Sequence, residues 1–148
     1  LAGADLLGTG TTKRTKAFAE RGWHWGPITR TDGLDLSRSI TTERYRLIYN
    51  ALPGRIYTPV DMPKKEAWLA VQSAHREGRL SPLHQRLYFQ NPRPIIELYD
   101  LNEDPYELNN LAGRHDIQTA LMHALESWMI REHDYLPLPS HALQNEGR

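Results

Sequence analysis

An alternating stretch in the first third of the chain constrains the fold most strongly. Along residues 44–50, alternate side chains form two sets that would point to opposite sides of a strand. One set is aromatic and aliphatic (Tyr45, Leu47 and Tyr49), and the other is mostly polar (Arg44, Arg46, Ile48 and Asn50). A period of two is typical of an antiparallel strand with one buried face. Residues 37–41 read as a second strand, and Thr42 and Glu43 supply a tight turn between them. The sequence therefore predicts a β-hairpin here.

The remaining pattern predicts two more strands and two helices. Strands are expected at 15–20 and 95–101, and a helix at 64–77 begins at Asp61 or Pro63 and stops at Gly78. A second helix, capped by Asp116, runs to Glu132 and repeats apolar residues at spacings of three and four: Ile117, Ala120, Leu121, Ala124, Leu125, Trp128 and Met129. The predicted fold class is α+β, a small antiparallel sheet of about four strands packed against the C-terminal amphipathic helix, with a helical excursion between strands.

Length and charge restrict what such a fold does. A chain of 148 residues suits one domain, and folding would bury about 69% of the unfolded surface. The formal net charge of zero argues against a nucleic-acid binder or a protein held on an anionic membrane. No apolar run is long enough to span a membrane, and the lack of cysteine excludes disulfides and a cysteine nucleophile within the chain. Because the chain begins at Leu1 and not at methionine, we expect it to start inside a longer protein.

The short motifs that suggest a phosphate or metal site do not have the residue spacing that such sites require. The run GTGTTK at 8–13 matches neither the P-loop nor the dinucleotide fingerprint, and a linker is expected over 1–14. Seven histidines show no paired metal-ligand spacing, and the acidic turn that follows residue 101 lacks the glycine of a calcium loop. We therefore predict no metal ligand and no catalytic residue in this chain.

One loop has the composition of a binding site. His24 lies between Trp23 and Trp25, close to Arg21 and directly after a strand end. Binding residues concentrate on loops of rigid scaffolds, and aromatic rings with a cation suit a sugar or an anion. His24, Trp23 and Arg21 are thus the predicted substrate-binding residues. The alternative, weighed equally, is that both tryptophans close the edge of the core and the histidine is a bystander.

Three arginines raise the same question. Arg38, Arg44 and Arg46 are suited to binding a sulfated ligand. Ion pairs with Glu43 or Asp35 are the simpler explanation for the presence of these arginines.

Two runs of residues resemble the C-terminal region of the sulfatases. The first is TERYRLIYN at 42–50, and the more specific second is ELYDLNEDPYELNNLA at 97–112, a strand followed by an acidic turn and then a helix that contains Trp128. The proline-rich excursion between the runs, and His133 with Asp134 after the helix, are most similar to the heparan N-sulfatase (sulfamidase) branch. The resemblance covers about 18–136, so we expect a subdomain at 15–134 and a tail at 135–148.

The resemblance implies a hydrolase whose chemistry lies elsewhere. Enzymes similar to this one hydrolyse sulfate esters or sulfamates with a formylglycine, made within a Cys/Ser-x-Pro-x-Arg motif, beside a divalent cation that is usually Ca²⁺. Here no serine stands two positions before a proline, and there is no cysteine. The formylglycine and Ca²⁺ are therefore expected in a missing N-terminal catalytic domain, which would be the partner of this chain. A sulfated glycan would be the substrate of the complete enzyme.

Two expectations follow for the isolated chain. Alone it should be inert, with a role in support and substrate shaping, and its exposed apolar face should favour self-association into a homo-oligomer, which sedimentation would detect. An alternative from another functional class is an autonomous glycan-binding or oligomerisation module without catalysis. A Cys/Ser-x-Pro-x-Arg segment upstream in the gene would favour the hydrolase.

Overall fold

The structure is a computed structural model that describes residues 14–23, 34–57, 59 and 65–136. Its elements, in chain order, are strand β1 (Lys16–Trp23), strand β2 (Leu34–Thr42), strand β3 (Tyr45–Asn50), helix α1 (Glu66–Arg76), helix α2 (Pro82–Phe89), strand β4 (Ile96–Asp100) and helix α3 (His115–Arg131). The four strands form one antiparallel sheet in the order β1-β2-β3-β4. The predicted α+β class, with about four strands and a helical excursion, is confirmed.

The core lies between one face of this sheet and α3. Ile40, Leu47 and Leu98 stand beside one another on adjacent strands and are 0% exposed. From the helix, Leu125 and Met129 complete the same buried cluster. This face carries the side chains that the alternation in β3 assigned to the core, so the predicted hairpin and its inward face are confirmed. Burial of this apolar surface is the main source of stability available to the sheet.

Helix α3 begins differently from the prediction. Its N-cap is Arg114, which makes no capping bond with its side chain, and Asp116 lies inside the first turn. There the carboxylate still faces the positive end of the helix dipole. The side chain of Gln118 accepts a hydrogen bond of 2.8 Å from the backbone N–H of Gly113, whose φ of 102° suits glycine. The entry is thus held by Gln118, and the expected Asp116 cap is wrong.

In its described residues, the excursion between β3 and β4 holds two helices where the sequence pattern predicted one. Helix α1 ends at Arg76, and Gly78 follows with a φ of 67°, as expected for the residue that stops it. The expected start at Asp61 or Pro63 lies outside the described residues. Helix α2 was missed, although Ser81 and Pro82 are a typical start: the Ser81 hydroxyl accepts a bond of 3.3 Å from the N–H of His84.

The two helices of the excursion pack through aromatic rings. Trp68 of α1 is buried and stacks on Phe89 of α2 with ring centroids 5.8 Å apart. Among the described helices, none has the length and apolar character needed to cross a membrane.

Strands β1 and β2 are longer than predicted. Trp23 was expected in a loop, but it belongs to β1 and pairs with Leu34, the first residue of β2. Gly22 lies within β1, where the register shifts between Arg21 and Trp23 and pairing then resumes. The local pattern does not show this, because the ladder is completed by a partner strand that begins only at Leu34.

Candidate functional site

Two of the predicted substrate-contacting residues, Arg21 and Trp23, lie at one end of the sheet. Residues 24–33 leave from Trp23 and return at Leu34, which are paired across β1 and β2. Ion pairs brace this end on both faces of the sheet. We call this set the rim anchor, and it consists of Arg21, Asp35, Arg38, Arg93 and Asp134.

On the face covered by α3, the rim anchor is a buried arginine with a carboxylate partner. The side chain of Arg38 is 0% exposed and that of Asp134 is 4% exposed. Arg38 donates to both carboxylate oxygens through Nε and Nη2, the latter at 2.8 Å from Oδ1. Its Nη1 donates to the backbone carbonyl of Arg21 at 3.0 Å and to that of Ser37 at 2.8 Å. One side chain thus ties α3's C-terminal end to both β1 and β2.

The same contact holds the Asp134 carboxylate in its charged form. The hydrogen bond from Arg38 lowers the pKa of Asp134, and the backbone N–H of Leu136, which donates to Oδ1 at 3.0 Å, acts in the same direction. A buried bidentate pair of this kind is charge-assisted and fixed in direction. It therefore locks the chain that follows α3 onto the sheet.

On the opposite face, one buried carboxylate holds two arginines. Arg93 donates to Asp35 through Nη2 at 2.5 Å and Nη1 at 3.1 Å. Arg21 approaches the same carboxylate with its Nε at 3.5 Å from Oδ2, and its guanidinium lies over the ring of Tyr57 at 5.1 Å. Asp35 is therefore the junction between β1, β2 and the segment that precedes β4.

The structure places the three predicted contact residues unequally. Arg21 belongs to the rim anchor and leaves about one third of its side chain exposed, at 33%. Trp23 is placed by its backbone at the end of β1, and His24 lies outside the described residues. The juxtaposition of these three side chains at a substrate therefore remains a prediction.

Sequence reasoning missed the partners of the rim anchor. Arg38 shares its face of β2 with Ile40, and a charged residue at a buried position needs a partner. The position of Arg38 on this buried face indicates that it has an acidic partner. That partner, Asp134, lies 96 residues away in the chain, so no local pattern connects the two.

The other two arginines also have partners that differ from those predicted. Arg44 contacts Asp100 at 2.7 Å, and Arg46 contacts Glu107 at 2.5 Å. In both cases the carboxylate lies on or just after β4, which neighbours β3 in the sheet. The ion-pair interpretation is supported, with Asp100 and Glu107 as partners where the sequence suggested Glu43 or Asp35.

A shallow pocket lies beside β4. Its volume is about 140 Å³, and Tyr99, Glu97 and Arg86 are among the residues that line it. Tyr99 donates to Glu97, and burial together with this bond raises the pKa of Tyr99, so its phenol keeps the proton. In the part of the chain that the structure covers, no group of three or more histidine, aspartate or glutamate residues stands close enough to hold a metal ion. The described residues therefore do not fit a Ca²⁺ site, and we assign them no catalytic step.

The lowered carboxylate pKa values predict a loss of stability in acid. The pKa of Asp134 is lowered by Arg38 and that of Asp100 by Arg44, so the folded chain binds fewer protons than the unfolded chain at acidic pH. This contribution is complete above about pH 5 and is lost as pH falls through the lowered values. Urea unfolding should give a lower midpoint at pH 3 than at pH 7. Equal midpoints would contradict the prediction.

Comparison with known proteins gives one clear relationship in sequence. The chain is 30% identical over 120 residues to an ulvan-active sulfatase from Formosa agariphila, a match that covers 76% of this chain and 20% of that protein. It thus spans about a fifth of the length of the curated relative. No protein-family model matches the chain.

A solved structure is also similar over part of its length. It is that of BT4656 in complex with its substrate D-glucosamine-2-N,6-O-disulfate, with a TM-score of 0.43 and 17% identity, over 84% of this chain and 17% of that one. The sequence comparison supports homology between this chain and a segment of a sulfatase.

Proposed function

We propose that this chain is the C-terminal subdomain of a sulfatase-type hydrolase that acts on a sulfated glycan. The observation that carries the proposal is the 30% identity to an ulvan-active sulfatase over a segment that forms one fifth of that protein. Within the larger enzyme the chain supplies a rigid scaffold and one wall of the active-site rim. The formylglycine nucleophile and Ca²⁺ belong to the N-terminal catalytic domain, which is the partner of this sheet.

The rim anchor supports a positioning role for this end of the sheet. Catalytic and binding loops work best when a rigid element holds their ends within a fraction of an ångström. Here Arg38 fixes the carbonyl of Arg21, and Asp35 fixes the Arg21 side chain, on opposite faces of β1. Residues 24–33, which follow Trp23 in the chain, therefore start from a braced strand end. His24 is the proposed substrate contact, with Trp23 and Arg21 as supporting walls.

The branch and the substrate form the finer part of the proposal. The proline-rich excursion between the two matched runs and the consecutive residues His133 and Asp134 after α3 are most similar to the heparan N-sulfatase branch. We therefore propose a sulfamate or sulfate ester on an amino sugar as the bond that the complete enzyme cleaves. Because its relative is ulvan-active, an ulvan oligosaccharide is the comparison substrate to include in any assay.

Kinetics of a single histidine variant test the proposed rim. In the complete gene product, we expect His24→Ala to lower kcat/KM for a sulfated oligosaccharide by about tenfold, the value of one hydrogen bond to a charged group, without unfolding. The matched control is His123→Ala, because His123 is exposed on α3. Unchanged kinetics for His24→Ala, or an equal loss for both variants, would reject the rim assignment.

A further inference from the structure

An exposed aromatic residue stands at the same end of the sheet as the rim anchor. Tyr135 is 70% exposed, yet both of its neighbours are buried: Leu136 is 5% exposed and the side chain of Asp134 is 4% exposed. The backbone around it is fixed, since Asp134 donates its N–H to the carbonyl of Met129 at 2.9 Å. The ring is therefore held out into solvent by a segment that is itself anchored.

Two contacts fix where this ring lies. One face rests on the buried guanidinium of Arg38, with 5.4 Å between its central carbon and the ring centroid. The hydroxyl lies over Gly22, only 3.1 Å from the position that a Cβ would take there. Gly22 directly precedes Trp23, so the ring stands beside the point where β1 leads into residues 24–33. Its other face is the one presented to solvent.

We infer that Tyr135 is a stacking platform for a pyranose ring of a bound glycan, a subsite next to the proposed rim. The face of an aromatic ring carries partial negative charge, which attracts the C–H bonds on the face of a sugar. Tyrosine offers this surface at a small entropic cost, because two torsions define its position and the Arg38 contact already restricts them. The choice of a glycan as the ligand rests on the proposed function.

A second tyrosine provides a matched control. Tyr106 is even more exposed, at 82%, and lies in the turn after β4. The register places that turn at the opposite end of the sheet, because Tyr45 pairs with Asp100 there whereas Tyr49 pairs with Ile96 near the rim. Replacing Tyr106 removes a ring of the same type from the surface and leaves the Tyr135 subsite unchanged.

The test is a titration of the 148-residue chain with a heparin-derived tetrasaccharide, followed by NMR. We expect Tyr135→Ala to weaken tetrasaccharide binding about fivefold. Tyr135→Leu keeps apolar bulk over Arg38 but lacks the ring, so it should weaken binding by the same factor. Tyr135→Phe and Tyr106→Ala should stay within twofold of the wild type. Circular dichroism and the thermal midpoint report whether each variant is folded. If Tyr135→Ala does not fold, Tyr135→Leu takes its place in the binding comparison.

The outcomes separate this subsite from the proposed function. Binding by Tyr135→Ala at wild-type strength overturns the subsite, and so does an equal loss in Tyr106→Ala or a wild-type chain that binds no tetrasaccharide. None of these results bears on hydrolysis, which the His24→Ala kinetics in the complete gene product test without using Tyr135.

Discussion

The Asp134→Asn variant should lose about 3 kcal/mol of unfolding free energy, because it removes the bidentate partner of the buried Arg38 and leaves that charge only the exposed Glu20 carboxylate, 3.7 Å away. Asparagine keeps the size and one acceptor oxygen, so the loss reports charge and bonding and not a cavity. Arg38 cannot recover by turning to water, since its side chain is 0% exposed. Urea unfolding at pH 7 measures the difference between variant and wild type.

Two further variants isolate the cause of that loss. Replacing both partners, as in Arg38→Met with Asp134→Leu, should recover most of the stability, because neither charge is then buried. Glu132→Gln is the control, since Glu132 pairs with Arg131 at 3.1 Å but on the surface, where such pairs contribute at most about 1 kcal/mol. A loss in Asp134→Asn no larger than in Glu132→Gln would contradict the role given to this pair.

The elements that the sequence predicts well are those whose pattern is local. The alternation of Tyr45, Leu47 and Tyr49 and the apolar stripe of α3 each follow from one periodicity and one buried face, and the structure has both. The boundaries are less predictable, because β1 extends to Trp23 only through pairing with Leu34. The sequence pattern does not predict helix α2, because its eight residues include no buried side chain and so give no clear apolar stripe, although Ser81 and Pro82 are a typical helix start.

The candidate site is harder to predict because its contacts are long-range. Arg38 and Asp134 are 96 residues apart, and Arg93 and Asp35 are 58 apart. Sequence spacing identifies which residues carry charge, but the fold decides which carboxylate each arginine meets. Composition alone points to Arg21, and the structure adds that its backbone and side chain are each held by a buried ionic group.

We expect the 148-residue chain to have no sulfatase activity on its own. The proposed chemistry requires a nucleophile, a cation and positive groups around one sulfate, because the developing charge must be met by preorganised electrostatics. The chain has no cysteine and no serine placed two residues before a proline. We therefore expect the complete gene product to release sulfate from a sulfated oligosaccharide on the order of a millionfold faster than the 148-residue chain, which should match the uncatalysed reaction.

The central claim is that this polypeptide is a scaffold with one wall of a pocket, and its most direct test is sulfate release by the purified 148-residue chain. The measurement uses ulvan and heparin oligosaccharides, with the complete gene product assayed in parallel. We predict no release above the protein-free rate for the chain and turnover for the complete gene product. Robust turnover by the chain alone would contradict the claim.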